Sequence, residues 1–546
     1  MVPQVTDTRG EIPLDALSFL LALAPILWLV VVLLVFKWPA WRAAIGSFAI
    51  SCALAAAWWR LPALDIATAS AEGFLMALWP IVLVIIAAVF TYNLCVETGA
   101  MDTIGRMITS ISSDRRILAL LVAWCFGGFM EGMAGFGTAV AIPAGMLAGL
   151  GFSPIPAVLM CLLANGVPTP YGSIGIPTTS LAGLVGLDVL QLGTVQMLQL
   201  LPFFIAAPFL IVAVAGGERG SGGPSGHVSG TAAAPRPGIA ERFRGVAGIA
   251  LASGLSFALP ALAMARFVGP ELTMVVGSIC ALAVTAVLGM RAERAGKLAV
   301  TFRMEVEPGE DLSLPALLRA GSCFILIFLL LLGTSGLVPP VHEALSRLSS
   351  TVTVYTGADP GGLTFSWVNT PGVWIFLAAL VGGRIQGAGA AVMLRTLQGT
   401  VRQMMPTVTT MLSVLGCAKV MGYAGMIGSI SAFCIATLGS LYPLVAPWVG
   451  MVGTFVTGSG TSSGMLFGAV QAQAAEALAA DPVWMVALNS LGVAAGKMLS
   501  PQTLAIGLAA VRVTGKDAEL LRAVLPYALG FLAVMSAIAF AGAALL

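Results

Sequence analysis

Residues 126–143 read FGGFMEGMAGFGTAVAIP, one acid and five glycines set in otherwise apolar sequence. The ten residues 117–126 that lead into it carry no polar side chain. Backbone that leaves the helix at membrane depth is tolerated only where protein covers it or where it lines a cavity. An ionisable side chain such as Glu131 in that setting points first to function. The stretch therefore predicts a broken or re-entrant membrane helix beside a cavity.

The surrounding chain has the composition such a helix needs. Hydrophobic residues make up 58% of 546 and charged residues 9%, against about 25% charged in soluble domains. Apolar runs near 17–36, 43–59, 74–95, 117–130, 196–215, 245–265, 271–290, 321–338, 371–383, 404–421, 426–449 and 523–546 read as spans. Together with the interrupted regions 131–190 and 450–510, they predict an all-α polytopic membrane protein of about 12–14 transmembrane helices. The amino terminus, MVPQVTDTRGEIPLD, has acids where a secretory signal has a basic region, so 17–36 reads as the first permanent span. A net charge of +2 provides no field for nucleic acid. Eight cysteines stand singly with no CxxC or Cys/His spacing, which predicts neither a disulfide nor a metal site. No Walker motif, dinucleotide fingerprint or HExxH occurs, so no nucleotide cofactor, ATP-driven step or common catalytic plan is indicated.

Lysines and arginines gather at 37–42, 106–116, 219–244, 291–303, 384–402 and 512–522, whereas 61–73, 184–195 and 339–370 have few. The positive-inside bias puts the first set in the cytoplasm and both termini outside a plasma (inner) membrane. The expected organisation is an extracellular segment 1–14, a first half 15–215, a flexible Gly/Ser/Pro-rich cytoplasmic linker 216–244, a bridging hairpin 245–290, a cytoplasmic loop 291–315 and a second half 316–546.

The halves are expected to be repeats. WPIVLVIIAAVFTYNLCVETGAMDTI (79–104) lies against MPTVTTMLSVLGCAKVMGYAGMIGSI (405–430), with Pro80/Pro406, Val82/Val408, Gly99/Gly425 and Ile104/Ile430 coinciding. NGVPTPYGSIGIPTT (165–179) lies against NSLGVAAGKMLSPQT (489–503), with Asn165/Asn489, Gly172/Gly496, Pro177/Pro501 and Thr179/Thr503 coinciding. Loop charge then makes the repeat inverted, with broken helices or re-entrant hairpins meeting near the midplane, a recurrent plan of secondary transporters. Chance similarity between Gly-rich helices is the competing explanation.

Candidate binding groups follow from these breaks. Glu131 suits a group that takes up and releases a proton, and its structural alternative is a hydrogen bond to a facing helix. Gly132, Gly135 and Gly137 would let backbone amides approach an anion, or would simply allow close helix packing. Asn165, Tyr171, Gly172 and Ser173, among Pro168, Pro170 and Pro177, interrupt a helix and offer polar groups to a small solute. In the second half, Ser459, Thr461, Ser462 and Ser463 of TGSGTSSGMLFGAVQ (457–471) are hydroxyl donors for a carboxylate. Asn489, Lys497, Ser500 and Gln502 of NSLGVAAGKMLSPQ (489–502) follow. Lys497 is a counter-charge for an anion or a partner of Glu131, against the alternative of snorkelling to an interface. His227 and His342 fall in loops, and Glu305, Glu307, Glu310 and Asp311 read as a solvated loop face.

At these motifs the sequence resembles the lactate permease family. The resemblance rests on WPIVLVIIAAVFTYNLCVETG (79–99), SDRRILALLVAWCFGGFMEGMAGFGTAVAI (113–142), LLANGVPTPYGSIGIP (162–177), PTVTTMLSVLGCAKVMGYAGM (406–426), FVTGSGTSSGMLFGAVQ (455–471) and GKMLSPQTLAIG (496–507). It implies proton symport of short 2-hydroxymonocarboxylates such as lactate or glycolate. The lipid bilayer is the other expected partner, and the sequence gives no sign of an obligate protein partner. The chain departs from the family pattern at Thr138-Ala139, where members have a proline, and at Gly460 and Gly464, where polar residues are usual. These departures bear on the substrate rather than on the transport class. The expected mechanism has Glu131 protonated, the carboxylate on Lys497, Ser459, Thr461 and Ser462, Asn165 and Asn489 bracketing it, and the two halves rocking around the site. A sodium-coupled carrier of another small organic anion is the alternative, since amide, hydroxyl and carbonyl oxygens also suit Na⁺.

Overall fold

The computed structural model describes residues 6–545 other than 8–9, 12–15, 37, 134, 136, 219–236, 297, 305–312, 336, 359 and 514–515. Most of the expected linker, the acids Glu305 to Asp311, His227, Lys37 and Lys297 lie outside the described residues.

Among the described residues, nine helices are long and apolar enough to cross a membrane, or up to eleven if each of two bent pairs is one span. Further apolar helices, such as Thr138–Gly149 and Pro371–Gln386, are shorter than that. The expectation of about 12–14 counts some of these shorter helices as spans as well. The architecture is helical apart from short strand pairs, of which the larger joins Ser349–Thr353 to Gly362–Ser366 in antiparallel register.

The loops sort onto two faces. On one, Arg115 and Arg116 meet Glu218 and the carbonyls of Arg242 and Arg244. Ser112 and Ser113 hold Glu293, and Arg395 pairs with Glu97 at 2.6 Å. On the other face, Trp58 donates to Ser18, Thr356 meets Asp65, and Trp79 donates to the Ser366 carbonyl. Basic loops thus contact basic loops, and the loops poor in Lys and Arg contact each other.

Two hairpins position the interior. Arg115–Met133 turns back through Gly135 and Gly137 into Thr138–Gly149, whose far end returns to the basic face beside Met304. Tyr442–Thr457 turns through Gly458 and Ser459 into Gly460–Leu478, tied across by Ser463 to Gly450 and Gln471 to Ala446. Beside each lies a broken helix. Pro154–Gly166 and Thr169–Val185 meet at 62°. Pro482–Leu499 passes into Pro501–Ala510 through Ser500. Prolines at the break and a left-handed run at Ser173, Ile174 and Gly175 stop the first helix from continuing.

These four units interlock. A Cβ on Gly166 would lie 2.6 Å from the Ala494 carbonyl oxygen, and one on Gly507 would lie 2.4 Å from Val158. Glycine lets the two sequence halves approach to backbone distance. Around this core, Ala63–Met76, Leu83–Glu97, Leu314–Ala320, Ser322–Thr334, Pro371–Gln386 and Ala390–Ala424 pack mainly on one another. Each expected half, 15–215 and 316–546, therefore contributes one part to the core and one to this outer frame.

Candidate functional site

The hairpin tips and the helix breaks enclose a cavity of about 1010 Å³. Gly137, Gly172, Ser173, Ser459, Thr461, Ser462, Lys497, Gln502 and Glu131 line it. Trp38, Trp41 and Asp517 lie at its rim, and Met404, Thr407, Thr410 and Met411 of Ala390–Ala424 form its outer wall.

Glu131 is 3% exposed, one turn before the first hairpin tip. Asn165, at the end of Pro154–Gly166, donates its Nδ2 to Glu131 Oε2 at 2.6 Å. Gly172 covers the other oxygen so closely that a Cβ there would stand 2.4 Å from Oε1. A carboxyl held this way is fixed in direction while it faces the cavity. The helix leading to it is π-wound over Leu120–Phe126, a departure from α-geometry that recurs at functional sites.

Lys497 is 6% exposed in the last turn of Pro482–Leu499, where a cation suits the helix dipole. Its Nζ donates to the Gly458 carbonyl at 2.9 Å. Gly458 has φ +69°, and a Cβ on it would meet Gln502 Oε1 at 2.4 Å, so any larger residue is strained at this tip. Ser459 caps the next helix by accepting from the Ser462 amide at 3.2 Å. The Ser462 hydroxyl is fully buried in the cavity wall and has no hydrogen-bond partner. Among the described residues no ion pair joins Glu131 to Lys497. The cavity is therefore lined by an acid, a base, a residue with an unpartnered hydroxyl and the amino end of the 19-residue helix Gly460–Leu478. Such an end attracts anions.

Other expected site residues stand back from the wall. Gly135, with φ +56°, packs under the Ser173 hydroxyl, and Asn165 acts through Glu131. Gly132 is a packing glycine, 2.8 Å from Met274 at its Cβ position. Tyr171 turns away to donate to the Gly193 carbonyl, and Ser463 donates to the Gly450 carbonyl at 2.9 Å. Asn489 is buried within its helix with both amide atoms unpartnered, and the buried Ser500 hydroxyl is unpartnered as well. Neither reaches the cavity.

Sequence reading missed Thr169, Thr457 and Thr503 in the lining, although all three sit inside the quoted motifs. It also missed the outer wall. Met404, Thr407 and Met411 recur at helical spacing on one face of a long helix, a pattern that ordinary packing produces as well. A partly buried ion pair, Lys419 to Glu72 at 2.7 Å with Tyr423 donating to the same carboxylate, ties two frame helices together away from the cavity.

The L-lactate permease family matches residues 18–546. The L-lactate permease of Streptococcus iniae is 39% identical over 87% of this chain and 94% of its own length. The glycolate permease GlcA of Escherichia coli K12 is 31% identical over 98% of this chain and 97% of its own. Among solved structures, MtrF of Neisseria gonorrhoeae, described as illuminating a class of antimetabolite efflux pumps, covers 87% of this chain and 83% of that one, with 14% identity and a TM-score of 0.45. The YdaH transporter of Alcanivorax borkumensis covers 78% of this chain and 85% of that one at 12% identity, with a TM-score of 0.33. At those scores neither bears on the fold. The match across residues 18–546 and the 39% identical relative show that this chain belongs to the L-lactate permease family, a multi-pass membrane transporter rather than an enzyme.

Proposed function

We propose that the protein imports a short 2-hydroxymonocarboxylate, lactate or glycolate, together with a proton across the plasma (inner) membrane. The observation that carries this reading is the meeting of Glu131, Lys497 and the unpartnered Ser462 hydroxyl in one cavity at the amino end of Gly460–Leu478. The substrate carboxylate takes Lys497, the Ser462 hydroxyl and the helix end, while Glu131 carries the proton. Neutralising both charges before the site crosses low dielectric is what makes coupled movement favourable. The names of the relatives, L-lactate permease and glycolate permease, support the substrate class. The grouping of basic loops on one face supports a cytoplasmic assignment for that face and an exterior one for the termini.

The interlock of the two halves favours a different moving unit from the one expected. Rocking one half against the other would separate Gly166 from Ala494 and Gly507 from Val158. Movement of the whole core along the Met404–Met411 wall leaves those contacts and the site intact.

The test is uptake into liposomes that hold a pH dye and no sodium. Lactate or glycolate added outside should acidify the lumen in the native protein and fail to do so in Glu131→Gln. Uptake that needs a sodium gradient and moves no protons would overturn the coupling assignment and favour a sodium-coupled carrier.

A further inference from the structure

Glu218 lies three residues beyond the end of the span Val189–Ala215, on the basic face. It is 8% exposed. Its Oε2 and its backbone carbonyl both accept from Arg115, at 3.2 and 3.0 Å. Its Oε1 accepts the Ser153 amide at 3.2 Å. Arg115 begins the helix that leads to Glu131, and Ser153 precedes the helix Pro154–Gly166 that carries Asn165 in its last turn. One carboxylate thus fastens the bases of the two elements whose tips hold the Glu131–Asn165 pair.

Described residues pack around this carboxylate and bury most of it. Arg115 lies over the Phe152 ring at 5.5 Å. Asp114 adds a negative charge beside Arg115 but is itself engaged by Arg116 at 2.7 Å. Arg242, from the short helix Ile239–Phe243, packs against Gly216 and Gly217 and donates to the Ala213 carbonyl. Among the described residues, the charged groups facing Glu218 are therefore Arg115 on its partner helix and, further out, Asp114, Arg116 and Arg242.

We propose that Glu218 is a pH-responsive clamp on the basic face, holding the base of the Glu131 hairpin against its neighbours when that compartment is acidic and releasing it when it is not. Burial raises the Glu218 carboxyl to about 7, above its usual 4.5, even against the opposing pull of Arg115 and the Ser153 amide. A carboxyl with a higher pKa inside the clamp than in water binds a proton as the clamp closes. Acid therefore favours the closed clamp. That preference is lost as pH rises from about 4.5 to about 7, and above about 7 both states are ionised and pH has no further effect. For a carrier that brings acid inward, the clamp acts as a brake that engages as the receiving compartment acidifies. Only this last consequence rests on the transport reading, and the clamp itself does not.

The first test needs no substrate. Hydrogen exchange is followed on the full chain in nanodiscs between pH 5.5 and 8.5, corrected for the intrinsic pH dependence of exchange. Peptides covering 115–126 and 153–163, which include the amides of Leu118 and Ala157, should lose protection by about tenfold or more up to pH 7 and then level off. Glu218→Gln, which mimics the protonated carboxyl, should stay protected throughout, and Glu218→Ala should stay open throughout. Unchanged protection in the native protein, or the same profile in Glu218→Gln, would overturn the clamp. The second test is counterflow of labelled lactate with equal pH on both sides of the liposome. The native rate should rise relative to Glu218→Gln up to about pH 7. A constant ratio alongside the expected exchange changes would leave a clamp with no braking role and overturn that part. A protein that shows the exchange changes but moves neither lactate nor glycolate in any variant would locate the failure in the substrate assignment instead.

Discussion

The two hairpin tips are built alike and charged differently. Gly127, Gly135, Gly137 and Thr138 of the first recur 323 positions later as Gly450, Gly458, Gly460 and Thr461. Gly135 and Gly458 both have positive φ, and each is touched by a side chain from its own half's broken helix, Ser173 in one and Lys497 in the other. Those two residues also coincide in the sequence alignment of the two halves, 324 positions apart. The chemistry does not repeat. Glu131 corresponds to Thr454, whose hydroxyl donates to the Gly450 carbonyl of its own helix. Lys497 corresponds to Ser173. Two similar hairpin-and-broken-helix units thus deliver an acid from the first hairpin and a base from the second half's broken helix to a single cavity. The same difference accounts for Asn489. Its counterpart Asn165 has Glu131 to bond, whereas Thr454 offers Asn489 nothing comparable and its amide is left unpartnered.

The comparison can be broken most severely at the charges. Glu131→Gln should lower proton-coupled uptake on the order of 100-fold while labelled-substrate exchange persists, given the roughly 3 kcal/mol scale of a buried ionic group. Parallel pH-dye and counterflow measurements check this, and equal losses in both would remove Glu131 from proton coupling. Lys497→Met should raise the half-saturation concentration by roughly 10- to 100-fold, since a buried charge-assisted contact contributes about 1.5–3 kcal/mol. An unchanged half-saturation would mean that Lys497 serves only to hold Gly458.

The shared backbone should fail more mildly, and equally in both halves. Gly135→Ala and Gly458→Ala each place a methyl group at positive φ and within 2.4 Å of a polar atom. Each should cost about 1–2 kcal/mol of stability, read as a lowered melting temperature in detergent. Loss at one tip alone would argue against a common design. The smallest effect separates the two asparagines. Asn489→Leu should be neutral or stabilising by up to about 1 kcal/mol, because it removes unsatisfied polar atoms, whereas Asn165→Leu should destabilise by about 1–3 kcal/mol by stripping Glu131 of its donor. Comparable destabilisation in the two would give Asn489 a partner that the structure does not contain.

Much of the first tip was readable from residue types alone. An acid in an apolar run, clustered glycines and a proline-broken helix are local signals, because the cost of a bare charge or an unbonded amide in lipid does not depend on the rest of the fold. Glu131, Gly137, Gly172 and Ser173 accordingly line the cavity. Side-chain direction was not readable where the helix breaks, since helical periodicity ends there. Tyr171 sits between Pro170 and Gly172 and yet turns outward to Gly193. In the second half, Ser462 belongs to the cavity lining and Ser463 bonds Gly450, a difference of one residue that only the packing of the hairpin sets.

By itself the sequence determined that the chain lives in a bilayer, where its helices break, which loops share a face and which charges cannot be ordinary surface groups. Each of these follows from local free energies of transfer and from backbone sterics. Only the tertiary structure decided that the two halves interlock into one core, that Met404, Thr407 and Met411 of a distant helix form the opposite wall, and that Asn165 rather than Asn489 serves the site. Those outcomes depend on which glycine meets which backbone across hundreds of residues, and no local pattern encodes that.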